Sequence, residues 1–185
     1  MILLLSGEGP SDVGQCSIPS TFCDGSSTGY FEKNARALAV KAKELAVELK
    51  DEVTSILFRD ADGTVSRVRG LYEAKRDSML RGFEMEGYSS GVPMIPKPKS
   101  EAWLLCAVKQ HPYNHCAALE NESGNDNSPN PLKGQLDHAL GHHAGATELA
   151  EMVRDRKIDV NRIDMPSLED FKRRLFAVLG MQYGH

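Results

Sequence analysis

The sequence predicts an α/β fold: a central, mostly parallel sheet flanked by helices, with a helical extension at the C-terminal side. Three observations predict it. Residues 1–5 are a continuous apolar run, as expected for a strand buried on both faces of a parallel sheet, and Val53 to Phe58 forms a second short strand. The stretch between them, YFEKNARALAVKAKELAVELK, repeats its apolar residues at three and four. Strand then alternates with helix three times along the first 110 residues, the order that builds a parallel sheet.

The first strand, MILLL, residues 1–5, is bounded by Gly7 and Gly9. Residues 10–29 are rich in Ser, Gly, Pro and Asp and read as a long loop. In the helix over 30–50, Phe31, Ala35, Leu38, Ala42, Leu45 and Leu49 share a face, with Lys and Glu opposite. A second strand ends at Phe58, and a charged helix over 66–87 offers Val68, Leu71, Tyr72, Met79 and Phe83 as its apolar side. GVPMIPKP reads as a short third strand broken by prolines, and SEAWLLCAVKQ as a helix N-capped by Ser100, with Trp103 packed into the core. Residues 120–131, ENESGNDNSPNP, have the composition of a loop or a disordered segment. LKGQLDHALG is a short helix; SLEDFKRRLFAVLG is another, capped by Ser167 and stopped by Gly180, with the basic KRRL stretch on its solvated face. These elements divide into a core over 1–110 and a helical and loop extension over 111–185 packed on the same domain.

Composition bounds the function. The chain has 185 residues, 41% hydrophobic and 26% charged, with a formal net charge of −4. That is enough for one core, and it gives no global basic signature, so nucleic-acid contact has to come from a local patch. The N-terminal apolar run is too short for a signal peptide, and no run approaches a membrane span. The four cysteines, Cys16, Cys23, Cys106 and Cys116, form no CxxC, so free thiols and a cytoplasmic location are expected. Cys106, His111, His115 and Cys116 are zinc-ligand types at tolerable spacing, but Cys106 falls on an apolar helix face, where packing is the simpler account. His138, His142 and His143 read as surface residues that could also touch a substrate.

The chemistry gathers at strand ends. In a parallel sheet functional groups collect at the C-terminal edge. Glu8 follows the first strand, Asp60 and Asp62 the second (SILFRDADGTV), and Lys97, Lys99 and Glu101 the third. Several carboxylates at one rim repel one another unless a cation sits among them, and Mg²⁺ prefers such oxygen ligands. Lys97 and Lys99 can contact phosphates, and Arg59 can orient the acids or a phosphate. The plainer alternative is a set of solvated loop residues. DADG also has the opening of a calcium loop, without its later ligands.

Two families share these residues. DADGT, Asp60 to Thr64, resembles the opening motif of haloacid-dehalogenase phosphatases, which would make Asp60 a covalent nucleophile. That motif normally opens its domain, whereas here a strand and a long helix precede it, and no later strand ends in an acidic pair. LLLSGEGPSD, ILFRDADG and PKPKSEAWLL, in this order, resemble the motifs of the Toprim domain, in the nuclease-like branch related to the overcoming-lysogenization-defect nucleases and small phage-defence proteins. This resemblance covers residues 1–110. It implies a Toprim-like, Rossmann-like fold and an Mg²⁺- or Mn²⁺-dependent nuclease acting on DNA or RNA in bacterial phage defence. It makes Glu8 a general acid/base or metal ligand, Asp60 and Asp62 metal ligands, Glu101 a further ligand, and Asp12 a support of the first motif. The sequence carries no topoisomerase tyrosine domain, primase zinc module or fused ATPase, so a separate ATPase partner, a homo-oligomer, or a non-catalytic subunit of the same fold is also compatible with it.

Overall fold

The computed structural model describes residues 2–6, 29–61 and 71–182. It is an α/β structure with a three-stranded, all-parallel sheet in the order β1-β2-β3, where β1 is Ile2–Ser6, β2 is Thr54–Phe58 and β3 is Gly91–Met94. The chain divides into two compact units that do not follow sequence order: residues 1–59, 72–94 and 171–185 form the first, and residues 60–71 and 95–170 the second.

In the first unit β2 is the central strand. Ile2 pairs with Thr54 and Ser6 with Phe58 on one side, and Ser55 pairs with Gly91 and Phe58 with Met94 on the other. Thr54 to Leu57 are all buried, the polar Thr54 and Ser55 together with Ile56 and Leu57, as a strand covered on both faces requires. Between the strands lie α1, Gly29–Leu49, and α2, Leu71–Met85. Ala35, Leu38, Ala39 and Ala42 of α1 are buried, together with Met79 and Phe83 of α2. The expected stripe is therefore right at its centre, but Leu49 at its end is exposed. Small residues set the helix spacing: a Cβ on Gly82 would collide with the Glu32 carbonyl oxygen and with Ala35. Among the polar groups of this unit, the buried Ser55 Oγ lies 3.1 Å from the Tyr88 hydroxyl, which also donates to the Val53 carbonyl, and Arg36 pairs with Glu86 at 2.7 Å.

The second unit is helical: α3, Ser100–Val108; α4, Leu132–Leu140; α5, Ala146–Arg154; and the first residues of α6, Pro166–Val178. Short 3-10 turns cover Cys116–Asn121 and Val160–Arg162. Its core is built from Trp103, Leu105, Leu119, Leu132, Leu136, Ile158, Ile163, Met165 and Leu168. The helix α5 lies where no helix is expected from the sequence. It is nine residues long, has no side-chain cap, and buries none of its residues fully, so its periodicity over Leu149, Met152 and Val153 is brief.

Three expectations are corrected here. Ser100 does not cap α3: it is the first helical residue, Lys99 holds the cap position, and Ser100 Oγ instead lies 3.3 Å from Glu101 Oε2. Ser167 does not cap α6 either. The helix begins a residue earlier at Pro166, whose fixed φ suits a first turn, and the Ser167 N–H donates to Glu120 Oε1 at 2.7 Å. Nor are the cysteines all free thiols: Cys106 and Cys116 form a disulfide with their Cα atoms 5.3 Å apart. A tight reversal brings them together, with Tyr113 and His115 both at positive φ. Both sulfurs are thereby spent, which removes the zinc reading of this segment. Trp103 is buried as expected and donates to Ser167 Oγ at 2.9 Å, and Gly180 closes α6 in the left-handed region as expected.

Candidate metal centre

The sheet register is the first determinant of the site. β1 and β2 run parallel as neighbours and end on the paired residues Ser6 and Phe58. Beyond β2 the backbone keeps its hydrogen bonding: the Arg59 N–H donates to the Met94 carbonyl at 3.0 Å, and the Ala61 N–H to the Pro96 carbonyl at 2.8 Å. Asp60 leaves the sheet between these two bonds. Glu8, Asp12 and Asp62 lie outside the described residues, as do Cys16 and Cys23.

Within the second unit, Asp60 and Glu101 meet at one residue. Asp60 Oδ1 accepts the Ser100 N–H at 2.9 Å, and Glu101 Oε2 lies 3.3 Å from the Ser100 hydroxyl. Asp60 thus satisfies one of the orphan donors that every helix N-terminus leaves. Lys97 precedes Pro98 across a cis peptide bond in the short connection between β3 and α3. Lys99 is largely buried and pairs with Asp126 at 2.8 Å. Burial pulls its pKa down, but the hydrogen bond to Asp126 and the charges of Glu101, Asp126 and Asp60 outweigh that and hold it above its ordinary value. Lys99 is therefore a fixed cation across the neutral range, set among three acids.

Asp126 is the residue that the sequence did not offer. It lies in a loop of Asn, Ser, Gly and Pro with no periodic signal, where the Asn125 side chain accepts from the Asn127 N–H at 2.9 Å. Its only sequence clue is an acid in a loop that has to close against a basic segment. Arg59, half-buried, follows the last residue of the first unit's central strand.

Among the described residues no group of three or more His, Cys, Asp or Glu side chains is placed to hold a metal ion. Of the expected ligands Glu8, Asp60, Asp62 and Glu101 and their support Asp12, Asp60 and Glu101 are described, and both are carboxylates suited to a hard cation. Among the described residues no helix is long and apolar enough to cross a membrane. No protein-family model matches the chain, and no curated protein and no solved structure matches it either.

Proposed function

We propose that the chain is a Mg²⁺-dependent, Toprim-like nuclease that cleaves phosphodiester bonds in DNA or RNA, with a role in bacterial phage defence. One observation carries the reading. β1 and β2 are adjacent and parallel with Ser6 opposite Phe58, and Glu8 and Asp60 each follow their strand's last paired residue by two positions. The opening acid of the first Toprim-like motif and that of the second thus leave neighbouring strands at equal distance along the chain. Asp60 and Glu101, joined through Ser100, add a third strand-end acid to the set.

On this reading Glu8, Asp60, Asp62 and Glu101 hold the cation, with Asp12 in support. When bound, Mg²⁺ supplies polarisation of the phosphoryl oxygen and stabilisation of the leaving alkoxide. Glu8 takes the proton from the attacking water. Lys97 and Arg59 are the cations for the phosphates next to the bond that breaks, while Lys99 balances the acids from its pair with Asp126. The substrate places the protein in the cytoplasm. There the disulfide is shielded from thiol reductants by burial, with Cys106 0% and Cys116 2% exposed.

The test is cleavage of labelled single- and double-stranded DNA and RNA with Mg²⁺ or Mn²⁺. Glu8→Ala is expected to lower the rate by at least about a hundredfold, a typical share for one acid/base group. A phosphatase using Asp60 as nucleophile would keep its activity in Glu8→Ala and form an aspartyl-phosphate at Asp60. A non-catalytic subunit would cleave nothing and would keep its ATPase partner in every acid variant. Either result removes the nuclease reading.

A further inference from the structure

We propose that the second unit holds a nucleotide-binding pocket at the C-terminal end of α3, made by Leu105, Val108, Lys109 and Gln110 with Leu119 and Gln135. The cavity measures about 700 Å³, inside the ~300–1,000 Å³ range of small-molecule sites. Its two halves differ in chemistry. Leu105 and Leu119 are buried and give an apolar floor with the half-buried Val108, as the face of a base requires. The polar half carries three carboxamides, Gln110, Asn130 and Gln135, each both donor and acceptor, which is the pairing a base edge presents. Gln135 is already oriented, because its Nε2 donates to the Asn130 carbonyl at 3.1 Å. His138 adds a flat ring on which a base can stack.

Lys109 supplies the charge for a phosphate. Its ammonium donates to the Asn114 carbonyl, inside the loop that the Cys106–Cys116 bond closes, so the cation is held in place rather than free to wander. Burial pushes its pKa below the ordinary lysine range. A phosphate beside it would reverse that effect. Lys99 is the contrast within the same unit, because Asp126 already pairs it.

The placement deepens the nuclease reading and rests on it for one point, the source of the nucleotide. α3 carries Asp60's contact and Glu101 at its start and the pocket at its end. From Ser100 to Val108 the helix rises about 12 Å, three or four nucleotides of a stacked strand at ~3.4 Å each. The ligand is thus a nucleoside phosphate, either free or as an unpaired nucleotide of a strand whose backbone passes the acids.

The experiment is an amide-resolved NMR titration of the full chain in EDTA, with each of the four ribonucleoside monophosphates and with a single-stranded hexanucleotide. Shifts confined to Leu105, Lys109, Leu119 and Gln135 are expected, and Lys109→Met should weaken binding about tenfold or more, the loss of one charged hydrogen bond. Gln110→Ala, at an exposed position, should weaken it with an unchanged amide spectrum elsewhere. Saturation by a monophosphate as tight as by the hexanucleotide identifies a free nucleotide; much tighter binding of the hexanucleotide identifies a strand. Both support the pocket. No shift at these residues, or equal affinity in both variants, overturns it. Because metal is absent, failure of Glu8→Ala to affect cleavage would remove the nuclease reading and leave this result standing.

Discussion

The two units are held together by different physics. In the first, regular backbone ladders join three strands, and alanines and large apolar side chains fill the space around them. In the second the elements are short, and single polar groups tie them: Asp60 to the Ser100 N–H, Glu120 to the Ser167 N–H, Trp103 to Ser167 Oγ, the Tyr113 hydroxyl to the Asp159 N–H at 2.9 Å, and one disulfide. Apolar packing is spread over many contacts and tolerates little change in volume. A polar tie is local, and its loss leaves a buried group unpaired. The first unit should therefore respond to lost volume and the second to lost donors, acceptors and the crosslink.

Four substitutions or treatments can break or sharpen this contrast. Phe83→Ala empties a side chain that is 1% exposed and should cost about 3–5 kcal/mol in denaturant unfolding. A loss below about 1 kcal/mol would mean that the first unit is not governed by packing. Replacing Cys106 and Cys116 together with Ala should cost about 2–4 kcal/mol, with faster hydrogen exchange confined to the second unit. Glu120→Ala removes the acceptor of the Ser167 N–H and should cost about 1–3 kcal/mol, whereas Glu120→Gln, which keeps an acceptor, should recover most of it.

The smallest effect is at His142. Its hydrogen bond to Glu148, 2.7 Å long, and that carboxylate's charge raise its pKa above the ordinary histidine value. The folded state therefore favours the imidazolium. The stabilisation is fully present below the ordinary histidine pKa and is lost as pH rises through the higher folded value. An NMR titration should find the raised pKa, and Glu148→Gln should return it toward normal; an unchanged value in that variant would show that the pair is not the cause.

How much the sequence revealed differs between the same two regions. β1, α1 and β2 announce themselves because a buried strand leaves a short apolar run and a one-sided helix leaves a period in the chain. The third strand was legible despite its prolines: Pro93 sits in β3, a strand paired on one side with β2 at the margin of the three-stranded order. Asp60 and Glu101 were legible as strand-end and helix-start acids, and their common contact with Ser100 follows from α3 beginning there. Ser100 and Ser167 misled because a serine before an apolar run looks like a cap, while acids distant in sequence, Asp60 and Glu120, take the helix-terminal donors. The Lys99–Asp126 pair spans 27 residues and has no periodic signature, so nothing local could announce it. The disulfide was missed for a similar reason: Cys106 is ten residues from Cys116, and only the reversal through Tyr113 and His115 closes that gap.

The crosslink also gives residues 107–115 an unusual covalent status. A protease that cuts once inside this segment does not release a fragment, because the sulfurs still join the two pieces. The nicked molecule would run as an intact chain on a non-reducing gel and separate into two bands only after dithiothreitol. Digestion read under both conditions would therefore report whether the bond has formed in a given preparation, without any assay of activity.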